Sequence, residues 1–270
     1  GRIWYNETVP ESFSTPGTAF LHLSADGTVT VKENAPDIPL EARLFAYTEN
    51  IVGEPVRIVI ARGISSAEEF LEIASDPYGY YMLKSDIEFS RPFVPFPAFY
   101  GVLYGNLNLV TVSFALDASR TDYGLVAENY GVIDGIIISF SAPLEGDSGR
   151  IRYVGGIAAV NYGIIRDCSA GNGSFGSEDA DWCTGGIAGL NEGLIRGCSN
   201  YTVIVGGKFS GGITGHNRGR IESSVNARAL CVYVEEDEAV SVSGVAGYNE
   251  GTVTNSSHFE KVFIYVKEKP

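Results

Sequence analysis

Nine carboxylates fall in three short runs: Glu145 and Asp147, then Glu178, Asp179 and Asp181, then Glu235, Glu236, Asp237 and Glu238. Oxygen donors clustered in this way ligate a hard cation such as calcium, meet a basic partner, or are simply solvated. Catalysis asks for more, namely a nucleophile beside a base, or an acid and a base held on rigid elements. The three histidines, His22, His216 and His258, stand alone, and His216 reads as a lone surface side chain. No H-E-x-x-H, G-x-S-x-G or glycine-rich phosphate loop occurs. The cysteines Cys168, Cys183, Cys198 and Cys231 form no C-x-x-C pair, which excludes a zinc-finger type of site.

The charge balance narrows the partners. Lys and Arg total 19 against 33 Asp and Glu in 270 residues, a formal net charge of −14 that repels phosphate backbones and argues against nucleic acid. No apolar run reaches the ~18 residues of a membrane helix, and "VRIVIA" from Val56 has only strand length. With 33 glycines dispersed among β-branched and aromatic residues, the composition is that of many short strands joined by tight turns.

Those strands are organised by a repeat. "GLVAENYGVI" from Gly124 recurs as "GGIAAVNYGII" from Gly155, "GGIAGLNEGLI" from Gly185, "GGITGHNRGRI" from Gly211 and "SGVAGYNEGTV" from Ser243. The register is anchored on Asn129, Asn161, Asn191, Asn217 and Asn249, at intervals of 32, 30, 26 and 32 residues. Glycine stands five before and two after each asparagine, and an aliphatic residue four before and four after. A glycine and an N-x-G turn inside each apolar stretch break any helix, so each repeat reads as one coil of a β-solenoid, with like residues stacked about 4.8 Å apart. The asparagines then form a ladder of amides, and the glycine two positions on is expected to take a left-handed turn.

This repeat resembles the G-G-[LIV]-[AV]-G-x-N-x-G-x-[IV] unit of bacterial GLUG-repeat proteins, most closely from Gly124 to Ser257. The resemblance implies a right-handed parallel β-helix on exported, surface-attached proteins and implies no particular reaction. The H-E-x-x-H zinc motif of streptococcal immunoglobulin-A peptidases that carry similar repeats is missing, so no metalloprotease activity carries over.

Several columns follow from the alignment. One residue past each asparagine come Tyr130, Tyr162, Glu192, Arg218 and Glu250, and five past it come Asp134, Arg166, Arg196, Glu222 and Thr254. These read as exposed cross-coil pairs, with Tyr130 and Tyr162 either packed or offering a stacking surface to a sugar. Cys168 and Cys198 share a register and are expected as stacked free thiols. Upstream, Ser65 or Ser66 followed by Glu68 or Glu69 is a capping box for a helix near 66–75 that covers the first coil.

The expectation is an all-β chain: residues 1–62 form an N-terminal β-rich cap resembling part of an immunoglobulin-like domain, and residues 63–270 a right-handed parallel β-helix domain whose six or seven coils run from about 80 to 266. Functionally it reads as a non-enzymatic, secreted or cell-surface adhesion or interaction module, acting as a monomer, its leader cleaved ahead of Gly1. Its partner is a host or matrix protein or a glycan. The three acidic runs share one edge as the candidate contact, without a cofactor or with calcium there. The alternative is a polysaccharide-active or carbohydrate-binding β-helix.

Overall fold

The computed structural model describes residues 2–4, 21–24, 29–32, 40–48, 51–52, 56–117, 119–141, 151–176, 183–235 and 239–267. Two compact units share the chain, residues 1–62 with 79–81, and residues 63–78 with 82–270. In the first, Leu40–Thr48 is the central antiparallel strand, paired with Arg2–Trp4, Ile51–Val52 and Val56–Ile60. Leu21–Leu23 and Val29–Val31 form a separate hairpin.

The second unit is a parallel β-solenoid of about five turns, fewer than the six or seven expected. Its asparagine sheet stacks Phe96–Phe99, Val126–Asn129, Ala158–Asn161, Ala188–Asn191, Thr214–Asn217 and Ala246–Asn249. The next face of each coil carries Val132–Asp134, Ile164–Arg166, Leu194–Arg196, Arg220–Glu222 and Thr252–Thr254. Ile133, Ile165, Ile195 and Ile221 point inward from it and are fully buried, as are Ile157, Ile187 and Ile213 before the asparagines. Each such isoleucine contributes roughly 1.5–3 kcal/mol of burial, and no single coil could bury its own.

The asparagine column forms as its spacing predicts. Asn129 Nδ2 donates to Asn161 Oδ1 at 2.8 Å, Asn161 to Asn191 at 2.8 Å, Asn191 to Asn217 at 2.8 Å and Asn217 to Asn249 at 2.7 Å. Below Asn129 the register position is Phe99, so the Asn129 oxygen instead accepts the Gly131 N–H at 3.2 Å. The carbonyls of Asn129, Asn161, Asn191 and Asn217 also each accept two backbone N–H groups from the coil above; Asn161 O, for example, takes those of Glu192 and Gly193 at 2.8 and 2.9 Å.

The glycine two past each asparagine has a different reason from the one expected. None of these glycines has a positive φ. A Cβ on Gly163 would lie 2.2 Å from the Gly131 carbonyl oxygen, and one on Gly193 2.2 Å from that of Gly163. Close coil-to-coil approach therefore excludes a side chain. The left-handed corner lies six past the asparagine, at Gly135, Asp167, Gly197, Ser223 and Asn255, with φ between 50° and 66°. Glycine, aspartate and asparagine are the residues that tolerate this region.

One end of the solenoid is closed by helix α1, Ala67–Leu71, which continues as a 3₁₀ turn over Glu72–Ser75. Ser66 caps it by accepting the Glu69 N–H at 3.2 Å, and the Glu69 carboxylate accepts the Ser65 N–H at 2.6 Å. Phe70 is driven into the first coil, stacked on Phe96 at 5.7 Å and edge-on to Phe89 and Phe93.

Asn191→Leu keeps the branched shape but removes the acceptor of Asn161 Nδ2, which retains only the longer contacts to Gly163 O and Leu194 O at 3.3 Å, and removes the donor to Asn217 Oδ1. It is expected to cost about 1–3 kcal/mol, lowering Tm by several degrees. A thermal melt within 1 °C of the parent would show that the ladder contributes nothing to stability.

Candidate functional site

The acidic runs at Glu145 and Asp147, at Glu178, Asp179 and Asp181, and at Glu236, Asp237 and Glu238 lie outside the described residues. Glu235 ends the strand Leu230–Glu235, and its side chain is likewise outside the description. The functional geometry that is described lies on another edge, one residue past the asparagine column.

Tyr130 and Tyr162 stack there at 4.8 Å between ring centroids, and the stack runs on through Tyr100 at 5.0 Å and Tyr78 at 4.6 Å, all near parallel. Tyr100 and Tyr78 went unread in the sequence because Phe99 and Pro77 replace the asparagine before them. The signal was present: F-Y-G-V-L from Phe99 matches N-Y-G-V-I from Asn129, and P-Y-G from Pro77 repeats its turn. The N–H groups of Tyr100 and Gly101 bond the Pro77 carbonyl just as Tyr130 and Gly131 bond that of Phe99. Because ring faces lie against ring faces, this column shows its partners edges and hydroxyls. Of the two tyrosines considered as a stacking surface for a sugar, Tyr130 has both faces covered, by Tyr100 and Tyr162, whereas Tyr162 has a tyrosine on one face only and lines the trough described below. Tyr130 donates to Glu128 Oε2 at 3.0 Å, and this bond to a carboxylate pushes its pKa up to about 12.

On later coils the same column turns ionic. Arg218 bridges Glu192 at 3.2 Å and Glu250 at 2.8 Å. Glu250 Oε2 also meets His216 Nε2 at 2.8 Å, so His216 is a largely buried, paired side chain rather than the lone surface histidine expected. Strand register sets it beside Tyr248 of the next coil, with ring centroids 5.0 Å apart. Arg218 first and His216 second hold the Glu250 carboxyl below its ordinary pKa. In the neighbouring column Arg166 pairs with Asp134 at 2.6 Å as expected, whereas Glu222 pairs with Arg220 of its own strand.

Between these walls runs an open trough of about 620 Å³. Tyr162, Glu192, Arg218 and Glu250 form one wall, Ile164, Leu194, Arg220 and Thr252 the other, and the glycine ladder the floor. The floor carries no side chains for the steric reason given above, and its N–H groups are spent on the coil below. Two carboxylates face two guanidinium groups, so the trough is close to neutral within an acidic chain. A smaller cleft of about 330 Å³ is lined by Ser119, Arg120, Asp122 and Glu128. Asp122 is engaged there by Thr121 at 2.6 Å and Arg152 at 3.2 Å, and Glu128 by Tyr130, so both carboxylates serve structural pairs.

The interior holds two further polar features. A second amide ladder runs from Asn200 to Asn226 at 2.8 Å and on to His258 at 2.8 Å, each side chain packed over a glycine of its own coil, Gly186, Gly212 or Gly244. Cys168 and Cys198 are buried free thiols on adjacent coils, and burial first, then the Cys198 contact, pushes the Cys168 pKa well above the usual thiol range. Among the described residues no group of three or more His, Cys, Asp and Glu side chains is placed to hold a metal ion, and no helix is long and apolar enough to cross a membrane.

No protein-family profile matches the chain, and no curated protein matches it. Among solved structures it is similar to that of a "putative immunoglobulin A1 protease from Bacteroides ovatus", with a TM-score of 0.54 and 16% identity over 77% of this chain and 78% of that one. At that identity the likeness shows a shared β-solenoid fold.

Arg218→Met is expected to return the Glu250 pKa upward toward 4.5 in a carboxyl NMR titration. The sign follows from linkage: a depressed carboxylate stabilises the fold above its ordinary pKa, and that contribution fades as pH falls through the folded value. A Glu250 titration unmoved by the substitution would remove Arg218 as the cause. In native protein a thiol reagent should modify partly exposed Cys231 first and leave Cys168 and Cys198 unreacted until unfolding. Early loss of either buried thiol would contradict their placement.

Proposed function

We propose that this chain is a non-enzymatic interaction module of a bacterial surface or secreted protein, presenting a rigid β-solenoid to a host or matrix protein or to a glycan. The observation that carries the reading is the trough, a straight, near-neutral channel whose walls repeat at the coil spacing and whose floor is fixed by backbone contact. Such a surface suits an extended, mainly uncharged ligand laid along the solenoid axis, recognised by tyrosine hydroxyls, the Glu192–Arg218–Glu250 bridge and the Ile164 and Leu194 side chains. Rigidity favours binding because little conformational freedom is lost on association. Kinship with GLUG-repeat proteins belongs to this proposal and rests on the five aligned repeats.

The polysaccharide-active alternative is favoured by one observation, the cleft that places Asp122 and Glu128 on one lining. Their engagement by Arg152 and Tyr130 supports a structural use instead.

A glycan and matrix-protein array probed with the full chain is expected to return a ligand whose binding weakens about tenfold or more in a Glu192→Ala, Arg218→Ala double variant. Binding indifferent to that variant would sink the trough as the site. Polysaccharide turnover that disappears with Asp122→Asn or Glu128→Gln would replace the non-enzymatic reading by its alternative.

A further inference from the structure

The floor and the wall of the trough differ in the hydrogen-bonding groups they leave unused. The floor is spent on both sides. Gly163, Gly193, Gly219 and Gly251 donate their N–H groups to the asparagine carbonyls of the coil below at 2.9–3.1 Å, and the Gly163, Gly193 and Gly219 carbonyls accept the N–H groups of Leu194, Arg220 and Thr252 at 2.8–2.9 Å. The asparagine amides reach the same carbonyls at 3.3–3.4 Å. Because the strands cross the trough, a chain lying along it cannot join their sheet. An extended peptide there would press N–H and C=O groups against a floor that has no partner for them, at the cost of their hydration.

The wall keeps groups free. In the Glu192–Arg218–Glu250 bridge, Arg218 uses Nη1 on Glu192 Oε1 and Nε on Glu250 Oε2, and His216 meets that same Glu250 oxygen. Among the described residues Glu192 Oε2, Glu250 Oε1 and Arg218 Nη2 engage no partner. Planar groups that hold one another rigid, with two acceptors and a donor to spare, match neighbouring hydroxyls, each of which both donates and accepts. Across the trough the half-buried Ile164 and Leu194 side chains form an apolar strip.

We propose that the trough takes a neutral polysaccharide whose pyranose rings are joined through equatorial bonds, laid along the solenoid axis; the inference rests on the trough being the binding site. Rings joined in this way form a flat ribbon, with C–H groups on its faces and hydroxyls along its edges. One face rests against the glycine floor and the Ile164–Leu194 side, which asks nothing of the spent backbone, and one edge meets the free wall atoms. The ribbon advances by close to the coil spacing of about 4.8 Å per sugar, so each ring falls on its own coil. Successive rings turn over, and like edges recur at every second sugar. The wall has the same period, because Glu192, Arg218 and Glu250 place like groups on every second coil. A near-neutral trough in a chain of net charge −14 gives a polyanion no attraction.

Isothermal titration calorimetry of the full chain with cellohexaose and chitohexaose, two neutral ribbons of this linkage, tests the inference. At least one is expected to bind about tenfold or more tightly than maltohexaose, whose axial bonds wind the sugars of cellohexaose into a coil. Glu192→Gln, which keeps the shape of the wall, and Leu194→Thr, which keeps a residue suited to a strand, are each expected to weaken ribbon binding about fivefold or more with the thermal melt unchanged. Failure of both ribbons to bind at millimolar concentration, affinity equal to that for maltohexaose, or binding indifferent to both variants overturns the proposal. Gelatin, an unfolded matrix-protein chain, separates this failure from that of the trough. If gelatin binds instead and the Glu192→Ala, Arg218→Ala double variant releases it, the trough is the site and the glycan class is wrong. Ribbon binding untouched by the double variant removes the trough itself.

Discussion

The asparagine amide is the interaction on which the rest of the solenoid depends. It sits fully buried at Asn129, Asn161, Asn191 and Asn217, where an unpaired amide would be costly, and it is satisfied only when the next coil brings its own asparagine to the same height. A coil slipped by one residue loses that bond, the pair of N–H contacts to the asparagine carbonyl and the inward direction of its isoleucines together. Register is thus enforced by a few strongly directional bonds, while burial of the aliphatic columns, which is not directional, supplies most of the stabilisation.

Fixing the register fixes everything outside the core as columns. Residues that differ from coil to coil, such as Tyr162, Glu192, Arg218 and Glu250, are held at one height spacing and must suit the neighbours above and below. In this column tyrosine meets tyrosine and acid meets arginine, which avoids stacking like charges, whereas in the next column Arg166 lies in register with Arg196 and is paired from its other side by Asp134. The glycine column follows from the same constraint. Carbonyl oxygens approach so closely that only hydrogen fits, and a groove without side chains results. Function on such a scaffold resides in the outer columns, where a residue can change without disturbing the core.

The first coil is closed by the chain itself. At the first coil, helix α1 turns Phe70 inward among Phe89, Phe93 and Phe96 and removes the open core from water. At the last described coil, Asn249 accepts from Asn217 and, like the other asparagines of the column, donates to the carbonyl of the glycine two positions on, at 3.4 Å.

The solenoid, its register, the inward isoleucines, the amide ladder and the capping box at Ser66 were all legible in the residues, because each rests on a local pattern repeated along the chain. The left-handed corner was legible too, in the Gly, Asp, Gly, Ser and Asn at positions 135, 167, 197, 223 and 255, but the neighbouring N-x-G pattern drew attention to the wrong glycine. Sequence alone could not give what depends on how a coil folds back across its own width. His216 meets Phe209 across the corner of its own coil, and a glycine floor becomes a trough only once its two walls are in place. Spacing along the chain sets which residues share a column, whereas the turns between faces set which columns adjoin, and those turns vary in length from coil to coil.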